Sequence, residues 1–147
     1  MTDPHPTTTA VWTRLIRAEA ALTTFIEAAL KAQGLPPLGW YDALWEIEKA
    51  RTGIRPLVLQ DRLLLPQYGL SRLVERLDKA GYVTRAACTE DGRGQVLLLT
   101  PEGGAVRARM WPVYAGALTA AIEARLGRDE AATLARLLAK LSGPAQS

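Results

Sequence analysis

The sequence predicts a mainly α-helical fold with one small β wing, and three observations carry that prediction. Apolar residues recur at spacings of three, four and seven through most of the chain, which puts them on single faces of helices. Gly34, Gly53, Gly81 and Gly127 fall between these runs, where helices end. Two β-prone runs, Tyr82 to Cys88 and Gln95 to Leu99, flank an Asp91-Gly92-Arg93-Gly94 tip, which is a hairpin signal.

Residues up to about Thr7 read as a flexible tail that includes the single histidine, His5. The first helix is expected from about Thr8 to Gln33, with Val11, Leu15, Leu22, Phe25, Ile26, Ala29 and Leu30 on its apolar face. Gly34 stops it, and Pro36-Pro37 prevents continuation. A second helix follows from about Leu38 to Ala50, carrying Trp40, Tyr41, Leu44, Trp45 and Ile47. The third, about Pro56 to Leu64, opens with a proline in its first turn, where the missing N–H is harmless. Pro66 breaks that run and is expected to start a fourth helix, which Gly81 closes. There Leu70, Leu73, Val74 and Leu77 form one apolar stripe, with Tyr68, Ser71, Arg72, Glu75 and Lys79 on the opposite side. Beyond the hairpin, Thr100-Pro101 supplies a cap and a first position for a long helix to about Leu126. Pro112 is expected to kink it. Asp129 to Leu141 forms a last amphipathic helix with Leu134, Leu137, Leu138 and Leu141.

Composition narrows the function classes. Hydrophobic residues fill 48% of the 147 positions, enough for a core and too many for wholesale disorder. No apolar run approaches the roughly 20 residues that span a bilayer, and the N-terminus lacks the basic-then-apolar order of a signal peptide. One cysteine excludes an internal disulfide framework, so a cytoplasmic location with no membrane partner is the expectation. No histidine has a serine or cysteine partner, no carboxylate pair has a supporting context, and no metal-ligand cluster or phosphate-binding glycine loop is present. Neither an enzyme nor a bound cofactor or metal is expected.

Charge points elsewhere. Eight of the 18 basic residues and five of the 15 acidic ones lie between Arg51 and Arg93, so the entire +3 excess sits there. Helix, tight break, second helix and basic hairpin in that order suit duplex DNA. The second helix would enter the major groove while the hairpin reaches toward a minor groove. Gln67, Tyr68, Ser71 and Arg72 are the candidate base readers, because Gln and Arg have the donor geometry for adenine and guanine edges. Arg55, Arg62 and Arg85 are candidate phosphate contacts, and Arg76, more to the side, suits phosphate or an internal ion pair equally. The terminal helices carry apolar faces that a small centre covers only in part, and burying them against a second copy gives a two-fold homodimer. The expected division is 1–35 for the tail and N-terminal dimerisation helix, 36–103 for the DNA-binding region, and 104–147 for the C-terminal dimerisation helices.

Several spaced elements together resemble the MarR family of bacterial winged helix-turn-helix regulators. They are Leu73-Val74-Glu75-Arg76-Leu77-Asp78-Lys79-Ala80-Gly81-Tyr82-Val83-Thr84-Arg85, then Asp91-Gly92-Arg93, then Leu97-Leu98-Leu99-Thr100-Pro101-Glu102-Gly103. The resemblance implies a homodimer on pseudo-palindromic operator DNA, acting as a repressor released by a small aromatic or phenolic effector. By position, Arg93 would be the wing-tip arginine in the minor groove and Asp91 would orient it. The effector pocket would lie between the dimerisation helices and the winged domain, bordered by Trp12, Trp40, Trp45 and Trp111. The chain departs from the family at Pro66-Gln67-Tyr68-Gly69, where members often carry small hydroxyl residues. Two other readings stand beside this one. The winged fold can serve as a protein-interaction module without DNA binding, or Cys88 can make the chain an oxidant-sensing repressor.

Overall fold

The computed structural model describes residues 1–64, 69–87 and 94–143. Its elements follow in the order α1 (Pro6–Ala32), α2 (Leu38–Lys49), α3 (Pro56–Arg62), α4 (Leu70–Lys79), β1 (Val83–Ala87), β2 (Gln95–Leu99), α5 (Pro101–Leu118), a π-helical turn (Thr119–Glu123) and α6 (Arg128–Ser142). The mainly helical fold with a small wing is therefore observed. One core joins the parts: Leu30 of α1, Leu44 and Ile47 of α2, Leu59 of α3, Leu77 of α4, Leu97 of β2 and Met110 of α5 are almost completely buried. The expected boundary between residues 103 and 104 falls inside α5. Val106 and Met110 belong to the same core as the winged centre, so that boundary divides roles rather than packing units.

The start of α1 corrects the expectation of a tail to Thr7. Pro6 occupies the first helical turn, and the backbone N–H of Thr7 donates to Nδ1 of His5 at 3.1 Å. The histidine thus caps a helix end whose first N–H groups otherwise have no partner. Only the C-terminal part of α1 is buried, at Ile26 and Leu30, whereas Val11, Trp12, Ile16 and Phe25 stay exposed. Glu27 of α1 accepts a 2.8 Å hydrogen bond from the N–H of Leu38, satisfying the start of α2 across the turn.

A second correction concerns α4, which begins at Leu70 and not at Pro66. Gly69 adopts the left-handed conformation at φ 78°, so an α-helix cannot run through it. Pro66 itself lies outside the described residues. On the other side of the break, the Leu64 N–H donates to Oδ2 of the buried Asp42 at 2.6 Å. Asp42 therefore ties the end of α3 to α2.

β1 and β2 pair antiparallel from Val83↔Leu99 to Ala87↔Gln95. A third backbone segment joins them at one point, where Ile54 bridges Leu97 through hydrogen bonds of 3.1 and 2.8 Å. Thr100 locks the end of the wing: its hydroxyl donates to the Gly81 carbonyl at 2.6 Å and accepts from the Gly103 N–H at 3.0 Å. α5 then continues through Pro112 without interruption, and the departure from α geometry comes at Thr119. Pro112 removes one N–H, while Trp111 and Tyr114 around it pack on Tyr41 of α2 with ring centroids 6.0 and 5.1 Å away. That packing holds the helix on both sides of the lost bond. α6 buries nothing within the chain, and Leu134, Leu137, Leu138 and Leu141 are all exposed.

Candidate nucleic-acid interface

α4 owes its orientation to Leu73, Val74 and Leu77, which are buried and turn the opposite face outward. Ser71, Arg72, Glu75, Arg76 and Lys79 are exposed on that outer side. The first turn carries no acidic side chain that would repel phosphate. The stem of Arg72 passes over Gly69, whose missing side chain would lie 3.7 Å from the Arg72 Cδ. Arg76 forms no ion pair among the described residues, so of its two expected roles the internal one is not taken up there. Arg85, on β1, has its Nε 3.4 Å from Oδ2 of Asp78 at the end of α4. Both side chains are well exposed, and such a surface pair is worth little, so Arg85 is held toward α4 without being consumed.

Arg55 precedes α3 and Arg62 ends it, and both are exposed. The fold brings them into one groove with Lys49 and Arg51 along one side of the wing. Gln67, Tyr68, Asp91 and Arg93 lie outside the described residues, as does Cys88. A partly buried ion pair braces the winged centre against the long helix. Arg107 Nε lies 3.1 Å from Oε1 of Glu48, and the guanidinium sits over the Trp45 ring at 5.0 Å.

A family model described as the MarR family matches residues 33–94, which run from the end of α1 to the residue before β2. The chain is 26% identical over 131 residues to an uncharacterized HTH-type transcriptional regulator of Bacillus cereus, covering 89% of this chain and 86% of that protein. Its fold matches Sco3205, a MarR family transcriptional regulator from Streptomyces coelicolor solved in complex with DNA. There the TM-score is 0.85 at 26% identity, over 97% of this chain and 89% of the other. A mutant MarR from E. coli complexed with operator DNA shares the fold at TM-score 0.81 and 23% identity, over 95% of this chain and 99% of the other. Over its DNA-binding region the chain is similar to the MarR family, and its fold is that of MarR-family regulators. Members are transcriptional regulators and not enzymes.

Placed in a MarR-family frame, the four tryptophans do not converge. Trp40 meets Tyr82 edge-on at 6.0 Å, Trp45 lies under Arg107 and Lys49, Trp111 stacks on Tyr41, and Trp12 is exposed on α1. Trp111, Tyr41 and Tyr114 do form one aromatic cluster between α2 and α5, and Tyr114 there has its hydroxyl pKa raised. Burial is the main cause, followed by the negative charge of Asp42 and then by Tyr41. Sequence reasoning missed Asp42 and Glu27. Asp42 had one legible signal, an acid set among Tyr41, Ala43 and Leu44, all of which are buried. Glu27 had none, because its partner is 11 residues away across a turn. Among the described residues no cluster of three or more His, Cys, Asp or Glu can hold a metal, and no helix is long and apolar enough to cross a membrane.

Proposed function

We propose that the chain is a homodimeric repressor that binds double-stranded operator DNA through α4 and the wing of each protomer. The observation that carries this reading is the outer face of α4, where Ser71, Arg72 and Arg76 stand exposed next to a wing held in place by Thr100. Its similarity to Sco3205, which was solved in complex with DNA, supports duplex binding. Base contacts are assigned to Gln67, Tyr68, Ser71 and Arg72, minor-groove contact to Arg93 oriented by Asp91, and phosphate contacts to Arg55, Arg62, Arg76 and Arg85. Dimerisation is assigned to α1, α5 and α6. Its support is the row of exposed leucines on α6 together with exposed Val11, Trp12 and Ile16 on α1, apolar area that a monomer would leave in water. A DNA-binding regulator of this kind works in the cytoplasm. Release by a small aromatic effector rests on the family resemblance, with the Tyr41–Trp111–Tyr114 cluster as its aromatic surface.

The test is binding to a duplex selected from a random pool, measured across a range of salt. Each phosphate contact contributes about −0.9 to the slope of log affinity against log salt. Arg93→Ala is expected to weaken the selected duplex by about 1–3 kcal/mol. No duplex binding at low salt would leave the winged fold as a protein-interaction module and overturn the proposal.

A further inference from the structure

α2 and α5 meet along a seam of two matching rows. Tyr41, Trp45 and Glu48 share one face of α2 at i, i+4 and i+7, and Arg107, Trp111 and Tyr114 repeat that spacing on α5. At one end the Tyr41 ring packs on Trp111 and Tyr114, with centroids 6.0 and 5.1 Å away. At the other, Arg107 Nε donates to Oε1 of Glu48 at 3.1 Å while the guanidinium covers the Trp45 ring at 5.0 Å. The contacts run in opposite order along the two helices, so the seam is antiparallel, and its ends lie roughly 10 Å apart. Lys49 covers the same Trp45 ring at 5.5 Å and is paired with Glu46 at 2.8 Å. Each of the two cations on Trp45 thus has its own carboxylate.

The two ends of the seam resist different motions. Apolar packing between rings is non-directional and follows a small tilt of one helix on the other. A charge-assisted N–H···O bond from a planar guanidinium stacked on an indole has one direction and does not. The Arg107 and Glu48 side chains are 18% and 29% exposed, so water and salt screen this pair less than the open Asp78–Arg85 pair. α2 carries Leu44 and Ile47 into the core that seats α4 through Leu73 and Leu77. α5 leads out of that core into the π-helical turn and α6. A tilt between α2 and α5 therefore turns α4 and the wing relative to the terminal helices. Resting on the homodimeric, DNA-binding reading above, we infer that Arg107 is a positioning residue for duplex binding. Held by Glu48 and Trp45, it fixes the angle of the winged centre on α5, and with it the half-site spacing that the dimer accepts. Its guanidinium is taken up by those two partners, so it acts through α4 and not on phosphate.

The experiment uses the full chain and three duplexes built from one selected operator. One keeps the selected half-site spacing, one lengthens it by a base pair (about 3.4 Å), and one holds a single half-site. The wild type is expected to prefer the selected spacing over the lengthened one. Arg107→Gln and Glu48→Gln should each reduce that preference about threefold or more, while affinity for the single half-site stays within about twofold of wild type. Arg107→Lys, which keeps the charge, should retain more of the preference than Arg107→Gln, and it carries the test if the Gln variants unfold. The double Gln variant should lose no more than the larger single loss, because both changes break one contact. Equal losses on the single and paired half-sites would make the role purely structural and overturn the inference. So would losses that add in the double variant, an unchanged spacing preference in both Gln variants, or a wild type that binds both spacings equally. A wild type that binds none of the three duplexes would instead remove the DNA-binding reading, and the role of Arg107 with it.

Discussion

Gly103 and Gly104 are adjacent, both in the first turns of α5, yet replacing each with alanine should move stability in opposite directions. A Cβ on Gly103 would overlap the carbonyl oxygen of Tyr82 and stand 2.9 Å from Leu99 Cδ1, where real contacts essentially never fall below 3.0 Å. The main obstacle is backbone, which cannot rotate aside as a side chain would. Relief requires α5 to move off the start of the wing, which also strains the 3.0 Å bond from the Gly103 N–H to Thr100. Overpacking of this kind costs about 1–3 kcal/mol and occasionally more, and a backbone obstacle places it near the top of that range. Against it stands the helix-propensity gain of alanine over glycine, about 1 kcal/mol. The net expectation for Gly103→Ala is a loss of about 2 kcal/mol. At Gly104 the new Cβ meets Leu99 Cδ2 at 3.5 Å and Glu48 Oε1 at 3.8 Å, both ordinary contacts. Only the propensity term remains, so Gly104→Ala should gain up to about 1 kcal/mol. Urea unfolding at one fixed protomer concentration measures both, since any dimer makes stability depend on concentration. If Gly103→Ala is as stable as the wild type, or the two variants shift the same way, the close approach of α5 to Tyr82 is wrong.

Three further outcomes are expected. Asp42→Ala leaves the Leu64 N–H without its acceptor, and should cost about 2 kcal/mol in chemical unfolding while Asn at the same position recovers much of it; equal losses for both would place the effect elsewhere. Tyr114 holds its proton more tightly folded than unfolded, so its contribution to stability is complete below the unfolded value of 10.0 and is lost as pH rises above it. The unfolding free energy of the wild type should therefore fall more steeply above pH 10 than that of Tyr114→Phe, and parallel curves would refute the raised pKa. Leu137→Asp on α6 should shift the species seen by analytical ultracentrifugation from dimer to monomer, and an unchanged dimer would remove α6 from the interface.

Much of the site's frame was legible because its signals are local. The stripe of Leu73, Val74 and Leu77 predicts which side of α4 is buried, and so which of Ser71, Arg72 and Arg76 face outward. The run of β-prone residues ending at Leu99, followed by Thr100-Pro101, predicts the second wing strand and the cap of α5, and both are observed. The start of α4 was not legible, because the same Pro66 that can open a helix is followed by Gly69, and only its positive φ decides that the helix waits until Leu70. Which neighbours the four tryptophans would meet was not legible for a related reason. Residues that share elements need not share a face, and here they are split between Tyr82, Arg107 and Tyr41.

Taken by itself, the sequence determined the order and faces of the helices, the hairpin, and the place where positive charge accumulates. Those properties follow from spacing along the chain, over distances of a few residues. Tertiary structure alone decided that Ile54 joins the wing at Leu97, that Asp42 ties Leu64 to α2, and that Lys49, Arg51 and Arg62 converge behind Val96. Each of these joins different elements of the chain, Asp42 and Leu64 being 22 positions apart, or backbone groups that carry no side-chain signature. Contacts of that kind are fixed by how whole elements pack, and no local pattern encodes them.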